Sequence, residues 1–329
     1  MKILVTGADG LLGNNLVREL LKRDHDVTAM IEEGKKPQAL VGIDVKMVKG
    51  NILNPESMNT LLEGAEVVYH CAANTNVWPA KAEIINKVNI DGTKNVINAC
   101  LKHGVKRMIF VGTANSFGSG KIDNPGNESN SYEAAHYGLD YMDSKRRAQE
   151  VVLEAVEKQG LQALVVNPTF MIGPHDSKPS SGAMILAIYN GKVPCYTHGG
   201  KNFVNVKDAA VAMANAATKG RIGECYILGH ENLTYKEMFD KIGDVVGKKS
   251  PKRSLPNSVV KTYGKTSTIL GKMFKFNPAV THELSILSTE DHYYSPKKAV
   301  EELEMPQTPI EEGIKECYSW FKENDYLKK

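Results

Sequence analysis

Cysteine is scarce in this sequence, and the few that occur are far apart. Cys71, Cys100, Cys195, Cys225 and Cys317 are the only five in 329 residues. An odd, scattered set in a chain this long argues against a disulfide framework and against a zinc site. The nine histidines include no HxH and no HExxH, so no metal is expected. Long apolar runs are missing too. Nothing approaches the ~18 residues of a membrane span, and the opening Lys2-Ile3-Leu4-Val5-Thr6-Gly7 is shorter than the ~7–15-residue core of a signal peptide. There is no block of like charge: 41 Lys and Arg stand against 38 Asp and Glu, a net charge of +3. The densest run, Lys145-Arg146-Arg147, falls in a helical pattern, where Arg146 and Arg147 read as a solvated face. Nucleic-acid binding needs clustered base and is not expected, nor is a membrane partner. These absences leave a soluble protein of a reducing compartment, cytoplasmic by default. No repeat and no flexible linker is present. The 42% hydrophobic and 24% charged composition is that of an ordinary globular chain, and the length suits one large domain or two modest ones.

What is present is alternation. Ile3–Thr6, Val27–Ile31, Val45–Val48, Val67–His70, Met108–Val111 and Ala163–Asn167 are short, nearly continuous apolar runs, as expected of parallel strands buried on both faces. Helical patterns separate most of them. Leu11, Leu12, Asn15, Leu16, Glu19 and Leu20 repeat with helical spacing. Asn54-Pro55-Glu56 before Met58, Leu61 and Leu62 reads as an N-cap with proline at the first helical position, and Gly64 closes that helix. Residues 83–103 and 137–158 read as two longer helices. This is the signature of a doubly wound α/β fold with a parallel sheet.

After Asn167-Pro168 the texture changes. Pro168, Gly173, Pro174, Pro179, Ser180, Ser181 and Gly182 crowd together as loop. Helix starts follow: Thr234-x-x-Glu237 and Thr308-Pro309-x-Glu311 read as capping boxes and Ser295-Pro296 as another start. The expected division is a nucleotide-binding sheet domain over 1–167, with 203–229 returning to it, and a smaller, mainly helical substrate-binding lobe over 168–329. Met184, Ile185, Leu186 and Ile188 read as the core of that lobe or a pocket wall.

Two features carry chemistry. Thr6-Gly7-Ala8-Asp9-Gly10-Leu11-Leu12-Gly13 follows the first strand and opens the first helix. Glycines there permit a tight turn and close backbone approach by a pyrophosphate, and the helix N-terminus offers free N–H groups and partial positive charge. Glu32, at the end of the second strand, can accept from an adenosine 2′-hydroxyl and repel a 2′-phosphate, which favours NAD over NADP; Lys35 and Lys36 just beyond pull the other way. The second feature is Tyr141-x-x-x-Lys145. The two side chains share a helix face, and an ammonium near a phenol is expected to lower its pKa and make Tyr141 a general acid or base. The same spacing at Tyr293/Lys297, Tyr294/Lys298 and Tyr318/Lys322 reads as surface chance. Tyr141 differs by position, at the start of the long helix before the sixth strand, with Thr113 just past the fifth; carboxyl ends of parallel strands line the ligand crevice.

In order, TGADGLLG at 6–13, HCAA at 70–73, NIDGTKNV at 89–96, VGTANSFG at 111–118 and YMDSK at 141–145 make the chain resemble the extended short-chain dehydrogenase/reductases, and within them the dihydroflavonol-reductase-like branch. NPTFMIGP at 167–174, NFVNVKDAA at 202–210 and CYILGHENLTYKE at 225–237 carry the resemblance to about residue 240. It implies a Rossmann fold and an NAD(P)-dependent oxidoreductase interconverting a carbonyl and an alcohol. Tyr141 would exchange the proton, Lys145 would hold the nicotinamide ribose, and Thr113 would hydrogen-bond the reacting oxygen. Gly7, Asp9, Gly10, Leu11, Leu12 and Gly13 would wrap the pyrophosphate. Asn51 and Ile52 would lie near adenine, Ala72 and Ala73 under the cofactor, and Pro168 and Phe170 beside the nicotinamide. Asn74, Trp78, Asn115, His136 and Met171 would flank the substrate. For Trp78 simple packing is an equal reading, for His136 a solvated loop residue is the blander one, and His70 reads as a satisfied core residue. The resemblance also implies a homodimer paired through 83–103 and 137–158.

Some residues depart from the family pattern. Glu32 stands where many members carry arginine, Asn205 where histidine is common, and Asn167 where arginine is frequent. Ala114 and Asn115 follow Thr113 where 4,6-dehydratases carry Asp-Glu, so dehydration is discounted. A nucleotide-sugar epimerase with transient oxidation by bound NAD stays open as the alternative, with Lys201 and Arg221 as isolated candidates for its diphosphate. A non-catalytic cofactor sensor is a third reading, and the intact Thr113, Tyr141 and Lys145 count against it.

Overall fold

The computed structural model describes residues 1–327. In chain order its elements are β1 (Lys2–Thr6), α1 (Leu11–Lys22), β2 (Asp26–Glu32), β3 (Lys46–Gly50), α2 (Pro55–Leu62), β4 (Val67–His70), α3 (Glu83–Asn86), a π-helical stretch over Lys87–Asp91, α4 (Gly92–Lys102), β5 (Arg107–Val111), α5 (Asp140–Gln159), β6 (Ala163–Pro168) and β7 (Phe170–Ile172). Then come α6 (Ala183–Tyr189), β8 (Cys195–Tyr196), β9 (Gly200–Asn205), α7 (Val206–Asn215), β10 (Cys225–Leu228), β11 (Glu231–Thr234), α8 (Tyr235–Val246), β12 (Arg253–Ser254), α9 (Asn257–Phe274), α10 (His282–Leu287), β13 (Asp291–His292), α11 (Lys297–Leu303) and α12 (Ile310–Glu323).

All six apolar runs become strands of one parallel sheet, ordered β10-β6-β5-β4-β1-β2-β3. In the five inner runs the side chains are largely buried on both faces, as their near-continuous apolarity demands; β3, at the sheet edge, is mostly exposed, Met47 included. On one face α1, α7 and α11 cover the sheet, bringing Leu16, Val17, Ala209, Met213 and Leu303 against Val5, Tyr69 and Tyr226. On the other, α2, α4 and α5 bring Met58, Leu62, Val96, Ala148 and Val152 against Leu4, Val68 and Phe110. The strand order reverses between β1 and β4, and in such sheets the crevice at this reversal holds the ligand. The carboxyl ends there are Thr6, Glu32, Gly50, His70 and Val111.

The sheet is not complete at residue 168. Its seventh strand, β10, pairs with β6 from Cys225↔Val165 to Leu228↔Pro168, and α7 and α11 cross back to cover a face. Beside its helices the second half holds a small sheet in which β9 pairs with β11, β13 and β7, with α6, α8 and α12 packed on it through Ile185, Met238, Ile242, Ile314 and Phe321. The last two residues of the expected lobe lie outside the described ones.

Local signals mostly act as expected. Asn54 caps α2 through Oδ1, which accepts from the backbone N–H of Glu56 at 3.0 Å and Ser57 at 3.3 Å. Thr234 and Glu237 form a reciprocal capping box on α8. Three expectations need correction. Residues 83–103 are not one α-helix, because a π-helical stretch interrupts them at Lys87–Asp91. The long helix starts at Asp140 rather than 137, since Gly138, at φ 67, takes the left-handed conformation and breaks the preceding turn. Thr308 forms no capping box: its hydroxyl donates to Asp208 Oδ1 at 2.9 Å, and the cap of α12 falls on Pro309.

Candidate active site

The glycine turn fits a diphosphate on two counts. Gly7 has φ +64, and a Cβ there would lie 2.7 Å from the Ala72 backbone at the end of β4. A Cβ at Gly13 would lie 2.3 Å from the Gly7 carbonyl oxygen, so α1 can sit this close to the turn only without a side chain there. Gly10 occupies the cap position of α1 and supplies no side-chain cap, and no acid lies in the first turn. The N–H groups at this helix end are left for an anion. Asp9 beside it is paired with Lys178 at 3.2 Å, which offsets its charge next to the turn. Asn14 and Asn15 of α1 donate to the carbonyls of His175 and Pro174, at 3.3 and 3.0 Å, tying the loop after β7 to the same corner.

The remaining cofactor candidates lie along this edge. Glu32 ends β2 opposite Gly50; its carboxylate is exposed and pairs with Lys35. Asn51 caps its own turn, accepting from the Leu53 N–H at 2.9 Å. Ile52 is buried, against Gly92. Ala72 and Ala73 follow His70 out of the sheet, and the Ala72 N–H donates to the Thr6 hydroxyl at 3.2 Å. His70 is satisfied on both ring nitrogens, by Thr6 at 2.8 Å and Thr93 at 3.1 Å. Burial pushes its pKa down to about 3, so it is neutral and structural.

Thr113, Tyr141 and Lys145 are brought together at the carboxyl ends of β5 and β4. Thr113, just past β5, is 6% exposed and its hydroxyl lies beside the Tyr141 phenol. Lys145, one turn along α5, donates to the Val111 carbonyl with Nζ 4.5 Å from the Phe110 ring centroid. Burial raises the Tyr141 pKa, and the Thr113 bond opposes the rise. Burial lowers Lys145 to about 8. The expected lowering of Tyr141 by Lys145 is therefore not what this arrangement produces: the ammonium is committed to Val111, and Thr113 is the group acting on the phenol.

The substrate candidates divide. Phe170 and Met171 stand on β7, opposite Phe203 and Val204, and Pro168 is buried at the end of β6. Lys201 Nζ sits 4.9 Å from the Phe170 ring, with its pKa lowered to about 8 by burial. Asn115 follows Thr113 in a short 3₁₀ turn. Asn74 exchanges two backbone bonds with the Asn89 amide, at 2.7 and 3.0 Å. Trp78 is half-buried in the loop after β4 and His136 is exposed, its Nε2 3.9 Å from Glu290. Arg221 is engaged elsewhere, with Glu302 at 2.7 Å and Glu224 at 3.4 Å.

The profile of the NAD dependent epimerase/dehydratase family matches residues 3–229. The chain belongs to this family. The matched segment contains every catalytic and cofactor candidate above. A Synechocystis sp. protein provisionally named dihydroflavonol 4-reductase is 29% identical over 98% of this chain and 95% of its own length. Sterol demethylase protein B of Methylococcus capsulatus is also 29% identical, covering 99% of this chain and all of its own length (100%). The crystal structure of gox2253 superposes with a TM-score of 0.87 at 30% identity, covering 99% of both chains. The UDP-glucose 4-epimerase of Thermotoga maritima, at 20% identity and TM-score 0.79 over 98% of this chain and 99% of its own, shares the fold. This family member is an NAD(P)-dependent enzyme of carbonyl–alcohol oxidoreduction.

Three polar residues position the site without a role having been read for them from the sequence, although Asn89 and Asn167 each open one of the quoted motifs. Asn89, in the π-helical stretch, holds the Asn74 loop and also donates to Ser144 Oγ at 2.9 Å, one residue before Lys145. Asn167 Nδ2 donates to the Thr113 carbonyl at 3.0 Å and to Gln149 Oε1 at 2.7 Å. Gly112 leaves room for this, since a Cβ there would lie 2.4 Å from Asn167 Nδ2. Gln149 thus fixes the Thr113 loop to α5, which carries Tyr141 and Lys145. A buried amide between Ala148 and Val152 on α5 was the available signal.

Proposed function

We propose that Tyr141 is the general acid/base of a net oxidoreduction on a small organic carbonyl/alcohol pair. The observation that carries this is the convergence of Thr113, Tyr141 and Lys145 at the sheet edge, with the Thr113 hydroxyl beside the phenol and Lys145 one turn along, on the Val111 carbonyl. In the reductive direction the Tyr141 hydroxyl gives its proton to the substrate oxygen, while Thr113 donates a hydrogen bond to that oxygen. Burial keeps the phenol protonated at neutral pH, ready for the step. Gly7, Gly10, Gly13 and the N-terminus of α1 hold the diphosphate of the dinucleotide, Asn51, Ile52, Ala72 and Ala73 flank it, and Lys145 holds the nicotinamide ribose. The bound nicotinamide supplies or accepts the hydride. Asn74, Trp78, Asn115, His136 and Met171 border the substrate. NAD is the preferred cofactor, because the Glu32 carboxylate at the end of β2 repels a 2′-phosphate. The names of the dihydroflavonol 4-reductase and sterol demethylase relatives point to a largely apolar, ring-bearing compound.

A nucleotide-sugar epimerase must neutralise a diphosphate. Arg221 is tied to Glu302 and Glu224, and Lys201 is the cation beside Phe170, which favours net reduction over epimerisation. We further propose residues 1–167 with 203–229 as the nucleotide-binding unit, the rest of 168–329 as the substrate lobe, a homodimer through α3–α4 and α5, and a cytoplasmic setting in keeping with the free cysteines. Tyr141→Phe is expected to cut turnover by about 10²–10⁴ while cofactor affinity, read by fluorescence titration, stays within a few-fold. Wild-type product should form in step with the change in nicotinamide absorbance. Full turnover in Tyr141→Phe, or product without net absorbance change, overturns the reading.

A further inference from the structure

The helix α9 is amphipathic in an unusual sense. Its buried face is made of Val260, Gly264, Thr268 and Gly271. Gly264 lets it lie directly on α10, where a Cβ would be 2.4 Å from Ser285 Oγ. The large apolar side chains point away: Tyr263 is 60%, Met273 65% and Phe274 67% exposed, with Val259, Ile269 and Leu270 exposed beside them. With Phe276 just beyond, seven of the twelve exposed large hydrophobics among the described residues lie on this one hairpin. A water-facing helix ordinarily does the reverse and buries its largest apolar groups. Val259, Tyr263, Leu270 and Phe274 recur at helical spacing on one face, so the patch is continuous rather than scattered.

The charge around the patch has one sign. No Asp or Glu occurs between Asp244 and Glu283, while seven lysines and Arg253 lie there. None of these eight cations forms an ion pair among the described residues. A second copy of this face would bring cations against cations, which opposes self-pairing. An anionic bilayer surface offers what both features need, an apolar layer for the exposed stripe and negative headgroups for the lysines. The lysine stems can extend past the apolar face to reach those headgroups. No helix of the described residues is long and apolar enough to cross a membrane, and a helix lying in the interface plane needs no spanning length.

Contrary to the expectation from the sequence that no membrane partner is involved, we propose that α9 docks this enzyme peripherally on an anionic lipid surface. The hairpin stands next to the catalytic helix: Leu284, Ile286 and Leu287 of α10 pack in one cluster with Tyr137, Leu139, Tyr141 and Met142. Docking therefore brings the elements beside the catalytic helix to the bilayer, where apolar carbonyl compounds partition. The lipid docking stands on α9 and its charge alone, and does not depend on the assignment of Tyr141.

The test is sedimentation of the full chain with vesicles of phosphatidylcholine alone or with roughly a third phosphatidylglycerol. The chain is expected to pellet with the anionic vesicles, not the neutral ones, and less as salt rises. The pair Leu270→Ser with Phe274→Ser, and separately Lys265→Glu with Lys272→Glu, should each weaken binding by about tenfold or more. Turnover of a water-soluble carbonyl should be unchanged in both, which separates this result from failure of the catalytic assignment. The charge-reversal pair touches only exposed side chains, so it stands as the control should the serine pair fail to fold. A chain that stays in the supernatant with anionic vesicles at low salt overturns the proposal. So does a dimer that Leu270→Ser with Phe274→Ser converts to monomer, since a second copy would then cover the face.

Discussion

Tyr141 and Lys145 are both enclosed, and enclosure drives each toward its neutral form, raising the phenol and lowering the ammonium. The sign of the resulting pH dependence is fixed. Lys145 is held at about 8, against ~10.4 in an unfolded chain. Between these values the unfolded chain binds a proton that the folded chain does not, so stability rises with pH across that window and is lost as pH falls through about 8. Wild type is therefore expected to gain stability relative to Lys145→Met as pH goes from about 8 to ~10, read as denaturant midpoints. A constant difference across the window would mean that Lys145 is not the titrating group. Gln149 makes a second case. Its Oε1 holds Asn167, while its Nε2 has no partner among the described residues. Gln149→Met is expected to cost about 1–3 kcal/mol in stability by leaving Asn167 half satisfied. It should lower kcat by about tenfold with cofactor KM unchanged, because the Thr113 loop loses its register to α5. An unchanged kcat at the same stability loss would reduce Gln149 to packing.

Among the elements, short-range signals worked where no distant group competed. The Asn54 cap and the Thr234–Glu237 box involve only neighbours along the chain. Thr308-Pro309-x-Glu311 has an equally good local pattern, but Asp208, from α7, takes both the Thr308 hydroxyl and its N–H. Thr234→Ala is accordingly expected to cost about 1 kcal/mol, measured by urea unfolding; a cost near zero would show that the box is dispensable. The break in the 83–103 helix was invisible for a similar reason. Its apolar spacing is helical, and Asn89 within the π-helical stretch is engaged by Asn74 and Ser144 from two other segments. A π-helical turn at such a place often marks a functional site.

At the scale of the molecule, the chain crosses between its two halves more than once. α7 lies along α1, Ala299 and Leu303 of α11 join the same core, and β10 closes the sheet on β6. Residues 1–167 alone would expose the β6 edge and strip helix cover from Tyr69 and Leu164. That fragment is expected to be insoluble or molten, with no cooperative transition in circular dichroism on heating. A sharply melting, cofactor-binding fragment would show the first six strands to be self-sufficient. The α9–α10 hairpin is the opposite case, an appendage whose outward face contributes nothing to the core.

The glycine turn, the six strands and the Tyr141–Lys145 spacing were legible from the sequence because each is written in adjacent residues: backbone freedom at Gly7, apolar runs for strands buried on both faces, a helical repeat for side chains on one face. Tertiary structure alone decided the rest. It brought α11 back to cover the sheet, turned Thr308 from a cap into a partner of Asp208, set Thr113 rather than Lys145 beside the phenol, and left the large side chains of α9 facing outward. These outcomes depend on which distant group reaches a donor or a surface first, and a linear pattern does not encode that competition.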